Sequence, residues 1–130
     1  MLFFHRPTLY VRVFINRIEI RDLDTGRVID RNSSTPFSSE RLLLADFFTA
    51  ECFLRELVKE LYPTYFLFPP SFKMVIQPME KKEGGLSQVE LRAFADSGEQ
   101  AGGVIVKLYQ ESNLLSDDEV RKIICSKEYN

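Results

Sequence analysis

Ser87-Gln88-Val89-Glu90-Leu91-Arg92-Ala93, then Ala101-Gly102-Gly103, then Val106-Lys107-Leu108-Tyr109-Gln110-Glu111: this succession decides the fold. Ser87 with Glu90 three residues later is a capping-box pattern, in which the serine oxygen and the glutamate carboxylate each accept the other's backbone amide, so a helix starts at Gln88. Gly102 and Gly103 can stop it, because glycine tolerates the left-handed backbone a helix end often needs. Val104 to Tyr109 then reads as a strand. Upstream, Phe72 to Gln77 is a compact apolar run that fits a buried central strand, and Met79 to Gly85 is a charged, glycine-ended loop. Downstream, Ser116 to Glu119 repeats the capping pattern and opens a short helix with Val120, Ile123 and Ile124 on its inner side. The run Asp117-Asp118-Glu119 fits the first turn of that helix, where negative charge faces the positive end of the macrodipole.

Toward the N-terminus the period changes. Leu9 to Phe14 and Arg17 to Leu23 alternate apolar and polar residues, with Val11, Val13, Ile18 and Ile20 on the apolar side, the mark of half-buried strands joined as a hairpin. Asp24-Thr25-Gly26 predicts the next turn, with Gly26 as the left-handed residue of a three-residue loop, and Arg27 to Asp30 as the third strand. After the polar segment Asn32 to Ser39, the residues Ala50, Phe53, Leu54, Leu57, Val58 and Leu61 recur at three- and four-residue intervals, one stripe of a helix. Asp46 is its candidate N-cap and Pro63 ends the pattern. Ser39 could instead cap a longer helix that includes Leu42 to Leu44. The predicted order is βββαβαβα.

At 130 residues the chain is long enough to bury roughly two thirds of its unfolded surface in one core, and one domain spanning 1–130 is expected. A composition of 45% apolar and 28% charged residues with a net charge of -2 is that of an ordinary globule and argues against a nucleic-acid footprint. Cys52, Cys125 and the single histidine, His5, are too scattered for tetrahedral zinc, so no metal site is expected and the cysteines read as reduced thiols. No run of 18 apolar residues could span a membrane, and Met1 to Phe4 is too short for the apolar core of a signal peptide, which places the expected location in the cytoplasm.

The segments quoted at the outset, with Leu44-Ala45-Asp46-Phe47-Phe48 and Val75-Ile76-Gln77-Pro78 before them, resemble the MreB rod-shape-determining family of bacterial actins in order and spacing. The alignable part covers roughly Leu9 to Ser112. The resemblance implies an α/β fold, an actin-like (RNase H-like) mixed five-stranded sheet with flanking helices, corresponding to subdomain IA alone. It also favours a short extended piece, not helix, at Leu42 to Leu44. The IB insertion of that family is replaced by the loop Arg31 to Ser39, and the second half of the family's subunit would lie beyond Asn130.

In that family the first hairpin carries an Asp-x-Gly-Thr phosphate loop whose carboxylate orients the metal's waters and whose glycine lets backbone amides reach the phosphate. The corresponding segment here is Arg12-Val13-Phe14-Ile15, and no glycine occurs from Leu9 to Asp22. Arg12 would replace the carboxylate with a cation, Phe14 would block the approach, and Ile15 completes the altered loop. The expectation is a pseudo-ATPase: no cofactor, no metal and no catalysis. Glu111 matches the family's water-positioning glutamate, but with no phosphate to act on it is expected to be vestigial, a strand-end carboxylate.

Tyr65-Phe66-Leu67-Phe68-Pro69-Pro70 joins helix to strand yet carries four consecutive apolar residues, where polar turn residues are usual. The resemblance places Leu67 and Phe68 on that family's membrane-inserting loop, and Phe3 and Phe4 on its N-terminal anchor. The alternatives are rings folded back onto the core or covering a sheet edge. Lys81, Lys82 and Glu83 read most simply as a solvated loop, and the acidic Glu80 beside them argues against anion binding. The functional expectation is a non-catalytic, actin-like interaction protein associated with an MreB-type cytoskeleton and cell-shape determination. Its expected partners are full-length MreB-type filaments or a second copy of itself, with peripheral contact at the inner membrane face and no nucleic acid. Two alternatives stay open: one half of a split actin-like ATPase, or a stand-alone decayed actin-like binding module.

Overall fold

The hydrophobic alternation of the first thirty residues folds into an antiparallel meander of β1 (Thr8–Phe14), β2 (Arg17–Asp22) and β3 (Val28–Asn32). The structure is a computed structural model that describes residues 6–63, 71–81 and 83–127. It continues through α1 (Phe47–Leu61), β4 (Phe72–Pro78), α2 (Gln88–Gln100), β5 (Gly103–Leu108) and α3 (Asp117–Cys125), the order βββαβαβα expected from the sequence. The five strands lie in the order β3-β2-β1-β4-β5. Pairing is antiparallel for β1 with β2 and β2 with β3, and parallel for β1 with β4 and β4 with β5. The middle strand is therefore β1. The run at Phe72 is buried, as expected, but sits one place off centre.

Strand alternation sorts the side chains onto two faces. Leu9, Val11, Val13, Ile18, Ile20, Ile29, Met74 and Ile76 meet the apolar stripes of α1 and α2 in the larger core cluster. Tyr10 and Val75 point the other way and pack with Leu23, Leu115 and the α3 residues Val120, Ile123 and Ile124. The result is three layers, with two helices on one side of the sheet and one on the other. Each large apolar side chain so buried contributes about 1.5 to 3 kcal/mol. None of the helices among the described residues is long and apolar enough to cross a membrane.

The helix ends follow the sequence signals. Asp46 caps α1 by accepting the Thr49 N–H at 3.0 Å, which holds its carboxyl below the ordinary value. Both capping boxes form, Ser87 with Glu90 and Ser116 with Glu119. At the end of α2 only Gly102 takes a positive φ, 110°. Gly103 matters for space instead. A Cβ there would lie 2.6 Å from Val106 Cγ2 and 2.8 Å from the Gly98 carbonyl oxygen, so its bareness lets β5 start against α2.

One connection differs from expectation. The link from β2 to β3 takes Leu23 to Arg27, longer than a three-residue loop, because the buried Asp22 gathers it. Asp22 accepts from the Tyr62 hydroxyl, from Thr25 Oγ1 at 3.0 Å and from the Asp24 N–H at 3.0 Å. Gly26 is left-handed there, as its position suggested. Between β3 and α1 the favoured reading holds: α1 starts after Asp46 and no helix begins at Ser39. Its hydroxyl accepts the Leu42 N–H at 3.0 Å while its own N–H bonds the Leu42 carbonyl, closing a single turn. Phe37, Leu43 and Leu44 anchor this segment in the core.

Candidate functional site

The residues singled out in the first hairpin and at Glu111 come to one end of the sheet, where β1, β4 and β5 finish. The β1–β2 turn is Ile15-Asn16, with Asn16 in the left-handed region at φ 50°. Its amides are already engaged. The Ile15 N–H donates to Glu80 Oε2 at 2.7 Å, and the Asn16 N–H donates to Ser38 Oγ at 3.1 Å. Asn16 Oδ1 in turn accepts the Phe37 and Ser38 amides at 2.8 and 2.7 Å, tying the turn to the segment before α1. Where a phosphate loop offers amides to an anion, this turn has bonded them to its own carboxylate and hydroxyl.

Cross-strand register explains the charges beside it. Arg12 lies opposite Glu19 and donates to Glu19 Oε1 from Nη2 at 2.6 Å and from Nε at 2.9 Å. Arg17 grips Asp30 with two 2.8 Å bonds. That bond is the first cause holding the Asp30 carboxyl below its ordinary value. Both guanidiniums lie over the Phe14 ring, with Arg12 Cζ 5.3 Å and Arg17 Cζ 4.2 Å from its centroid, close enough for cation–π attraction. Ile15 is exposed at the tip. The Arg12 cation is thus neutralised within the chain, and Phe14 is covered by arginines.

Glu111 follows β5, and its backbone is held by Gln77, a fully buried side chain at the end of β4. Gln77 Nε2 donates to the carbonyls of Glu111 and Asn113, each at 2.8 Å. The Tyr10 hydroxyl donates to Gln77 Oε1 and accepts the Leu115 N–H at 3.1 Å. Burial raises the Tyr10 pKa, opposed by the Leu115 bond. Gln77 is the register partner of Arg12, so Arg12, Gln77 and the Glu111 backbone share this end of the sheet.

Four residues that organise the site, Tyr10, Asn16, Gln77 and Glu80, were not singled out for it from sequence. A glutamine inside an apolar strand was the available signal for Gln77, since a buried amide must find partners. Lys81 is not simply solvated, since its Nζ bonds the Glu40 carbonyl at 2.6 Å, and the neighbouring Glu80 bonds Ile15. Tyr65, Phe66, Leu67, Phe68, Phe3 and Phe4 lie outside the described residues, as does Lys82. Among the described residues no group of histidine, cysteine and carboxylate side chains could hold a metal ion. An open groove of about 470 Å³ lies by the starts of β4 and β5, away from the turn, and is lined by Cys52, Arg55, Lys59, Gln100 and Gly102 among others. Cys52 and Cys125 are free thiols.

No family model matches the chain. Over 128 residues it is 37% identical to "Uncharacterized protein YjaA" of Escherichia coli (strain K12), a match that covers 92% of this chain and 98% of the other. Among solved structures, the ethanolamine utilization protein EutJ from Carboxydothermus hydrogenoformans superposes with a TM-score of 0.51 at 15% identity. That match covers 80% of this chain but only 37% of EutJ. The likeness establishes the fold: an actin-like, RNase H-like mixed sheet with flanking helices.

Proposed function

The chain belongs to the family of Escherichia coli YjaA, and from that footing and its actin-like fold we propose that it is a non-catalytic, actin-like interaction protein that sits on, caps or adapts an MreB-type assembly at the inner membrane face. The observation that carries this reading is the Glu80 carboxylate on the Ile15 amide at 2.7 Å. A carboxylate already bonded to the turn repels an incoming phosphate and occupies its donor. By the resemblance in sequence, Arg12 stands where the MreB family's metal-organising carboxylate would be, and Glu19 neutralises it. The mechanism is partial mimicry: an actin-like surface engages a filament partner but does not pass through an ATP-driven cycle.

Co-sedimentation with a polymerised full-length MreB-type protein tests the partner, and calorimetry with Mg-ATP tests the chemistry. The expected results are co-pelleting, and no saturable nucleotide binding at millimolar concentration. Absence from the pellet would defeat the filament reading. Micromolar nucleotide binding would restore the split-ATPase alternative, the more so if hydrolysis then vanished in Glu111→Ala. Membrane contact is tested with liposomes: Leu67→Asp with Phe68→Asp should abolish co-sedimentation while leaving the melting temperature unchanged, and a collapsed melt with unaltered lipid binding would assign those rings to the core.

A further inference from the structure

The arginines of the sheet are satisfied within the chain: Arg12 pairs with Glu19, Arg17 with Asp30, Arg21 with Asp117 and Arg31 with Glu60. The groove by the starts of β4 and β5 differs. One wall is the outward side of α1, which carries the exposed Arg55, Glu56 and Lys59, and the other is the end of α2, from Gln100 to Gly102. Arg55 meets the sulfur of Cys52, from Nη2 at 3.8 Å, and a thiol sulfur is a weak acceptor. Among the described residues neither Arg55 nor Lys59 forms an ion pair with a carboxylate, and Glu56 forms none with a cation. Glu56 and Lys59 stand three apart on one helix, a spacing at which opposite charges can pair. Here they share a groove without closing on each other.

Both signs of charge are therefore on offer. Arg55 and Lys59 put two cations on the α1 side. Opposite them α2 presents its carboxyl end, where peptide carbonyls sum to a partial negative charge of about half a unit, and no basic side chain stands in its last turn to offset it. Glu56 adds a full negative charge. A plain anion would be opposed by Glu56 and the carbonyl end, and a plain cation by Arg55 and Lys59. A molecule with both charges finds a complement for each. The buried Val58 and Ala101 add apolar lining, and the Gln100 side chain is an amide with donors and an acceptor, the complement of a peptide bond. At about 470 Å³ the groove falls within the roughly 300 to 1,000 Å³ usual for small-molecule sites and is larger than one free amino acid.

We propose that this groove binds a short peptide with both ends free, its carboxylate held by Arg55 and Lys59, its ammonium by Glu56 and the carboxyl end of α2, and a peptide bond read by Gln100. The guanidinium supplies a planar fork that matches a carboxylate, and the lysine a point charge beside it. The charged side chains are exposed, so solvent screens each contact and the dissociation constant should be on the order of 1 mM. The site lies away from the β1–β2 turn. It does not depend on the filament partner proposed above, and either can fail without the other.

Trialanine is the probe, titrated into the whole chain and followed by amide NMR shifts. Saturable shifts are expected at Arg55, Lys59 and Gly102. N-acetyl-trialanine and trialanine amide, each lacking one charge, should bind about tenfold more weakly, and the doubly blocked peptide more weakly still. Arg55→Gln with Lys59→Gln should erase the advantage of a free carboxylate, and Glu56→Gln that of a free amine. These side chains are exposed, so the melting temperature should hold. Cys52 gives a second readout: trialanine should slow its alkylation by iodoacetamide and leave that of Cys125, on α3, unchanged. No saturable shift up to about 50 mM, well above the expected constant, would overturn the proposal. So would equal binding of trialanine and its acetylated form, which would make the groove an anion site only, or equal slowing at both cysteines, which would place the peptide elsewhere.

Discussion

Glu80 stands on the Ile15 amide at 2.7 Å, so the chain carries its own anion at the turn between β1 and β2. The bond joins the end of β4 to the tip of the hairpin, and the Met79 N–H reinforces it by donating to the Val13 carbonyl at 2.9 Å. Glu80→Ala is expected to destabilise the fold by about 1 kcal/mol, below the ~1.5 to 3 kcal/mol of a charged hydrogen bond because this bond is exposed and water replaces part of it. It should not create nucleotide binding, because Arg12 and Phe14 still fill the loop. Urea unfolding and calorimetry on the same variant check both halves.

Gln77→Leu should be among the most damaging single changes. The volume is similar, but the Glu111 and Asn113 carbonyls lose their donor and the Tyr10 hydroxyl loses its acceptor. The orphaned Tyr10 hydroxyl is buried and costs about 1 to 3 kcal/mol, while the two carbonyls belong to exposed residues and turn partly to water, so a total loss of about 3 kcal/mol is expected. Tyr10→Phe should cost less, since it leaves the Gln77 amide on both carbonyls. Thermal melts of the pair give the order.

At the contact between α2 and β5, Gly103→Ala is expected to destabilise by about 1 to 3 kcal/mol, an overpacking penalty. Its Cβ would press on the Gly98 carbonyl, which cannot rotate away. Gly98→Ala should be close to neutral: the new methyl meets only side-chain carbons, the nearest 3.0 Å away, and the helix gains up to about 1 kcal/mol from replacing glycine. Equal effects in chemical denaturation would contradict this account of the contact.

Acid should weaken the hairpin in a particular way. The Asp30 carboxyl is depressed by its bond to Arg17, and a depressed carboxylate stabilises the fold above its unfolded value. That contribution is lost as pH falls through the lower, folded value. The gap in melting temperature between wild type and Asp30→Asn should therefore be full at neutral pH and close on acidification below the ordinary carboxylate range. A gap that stays constant down to about pH 2, below the usual carboxylate values, would rule out the ion pair as its source.

The parts of the fold that sequence revealed were those with local chemistry. Ser87 with Glu90, Ser116 with Glu119 and Asp46 each announce a helix start through bonds a few residues long. Alternation announces β1 and β2 because one face must be apolar. The opposite holds for Asn16, Gln77 and Glu80. Their partners are Phe37 and Ser38, Glu111 and Asn113, and Ile15, all distant in sequence, so no spacing rule could announce them. Ser39 left two readings open for a related reason: the same hydroxyl that can cap a helix also closes a lone turn, and here it closes the turn with Leu42. The bulge at Val104, where β5 pairs with β4, was equally silent, being a property of how two strands meet.

The position of β1 in the middle of the sheet has a consequence for how the chain acquires its shape during synthesis. Its antiparallel neighbour follows after a two-residue turn, but its parallel neighbour must wait, since Leu9 meets Met74 and Val11 meets Ile76. The meander of β1, β2 and β3 therefore leaves the ribosome with Leu9, Val11, Val13, Ile18, Ile20 and Ile29 aligned on one bare face. That face stays wet until α1 and β4 have emerged. Non-local pairing of this kind is slow, and the waiting surface is a natural client for nascent-chain chaperones.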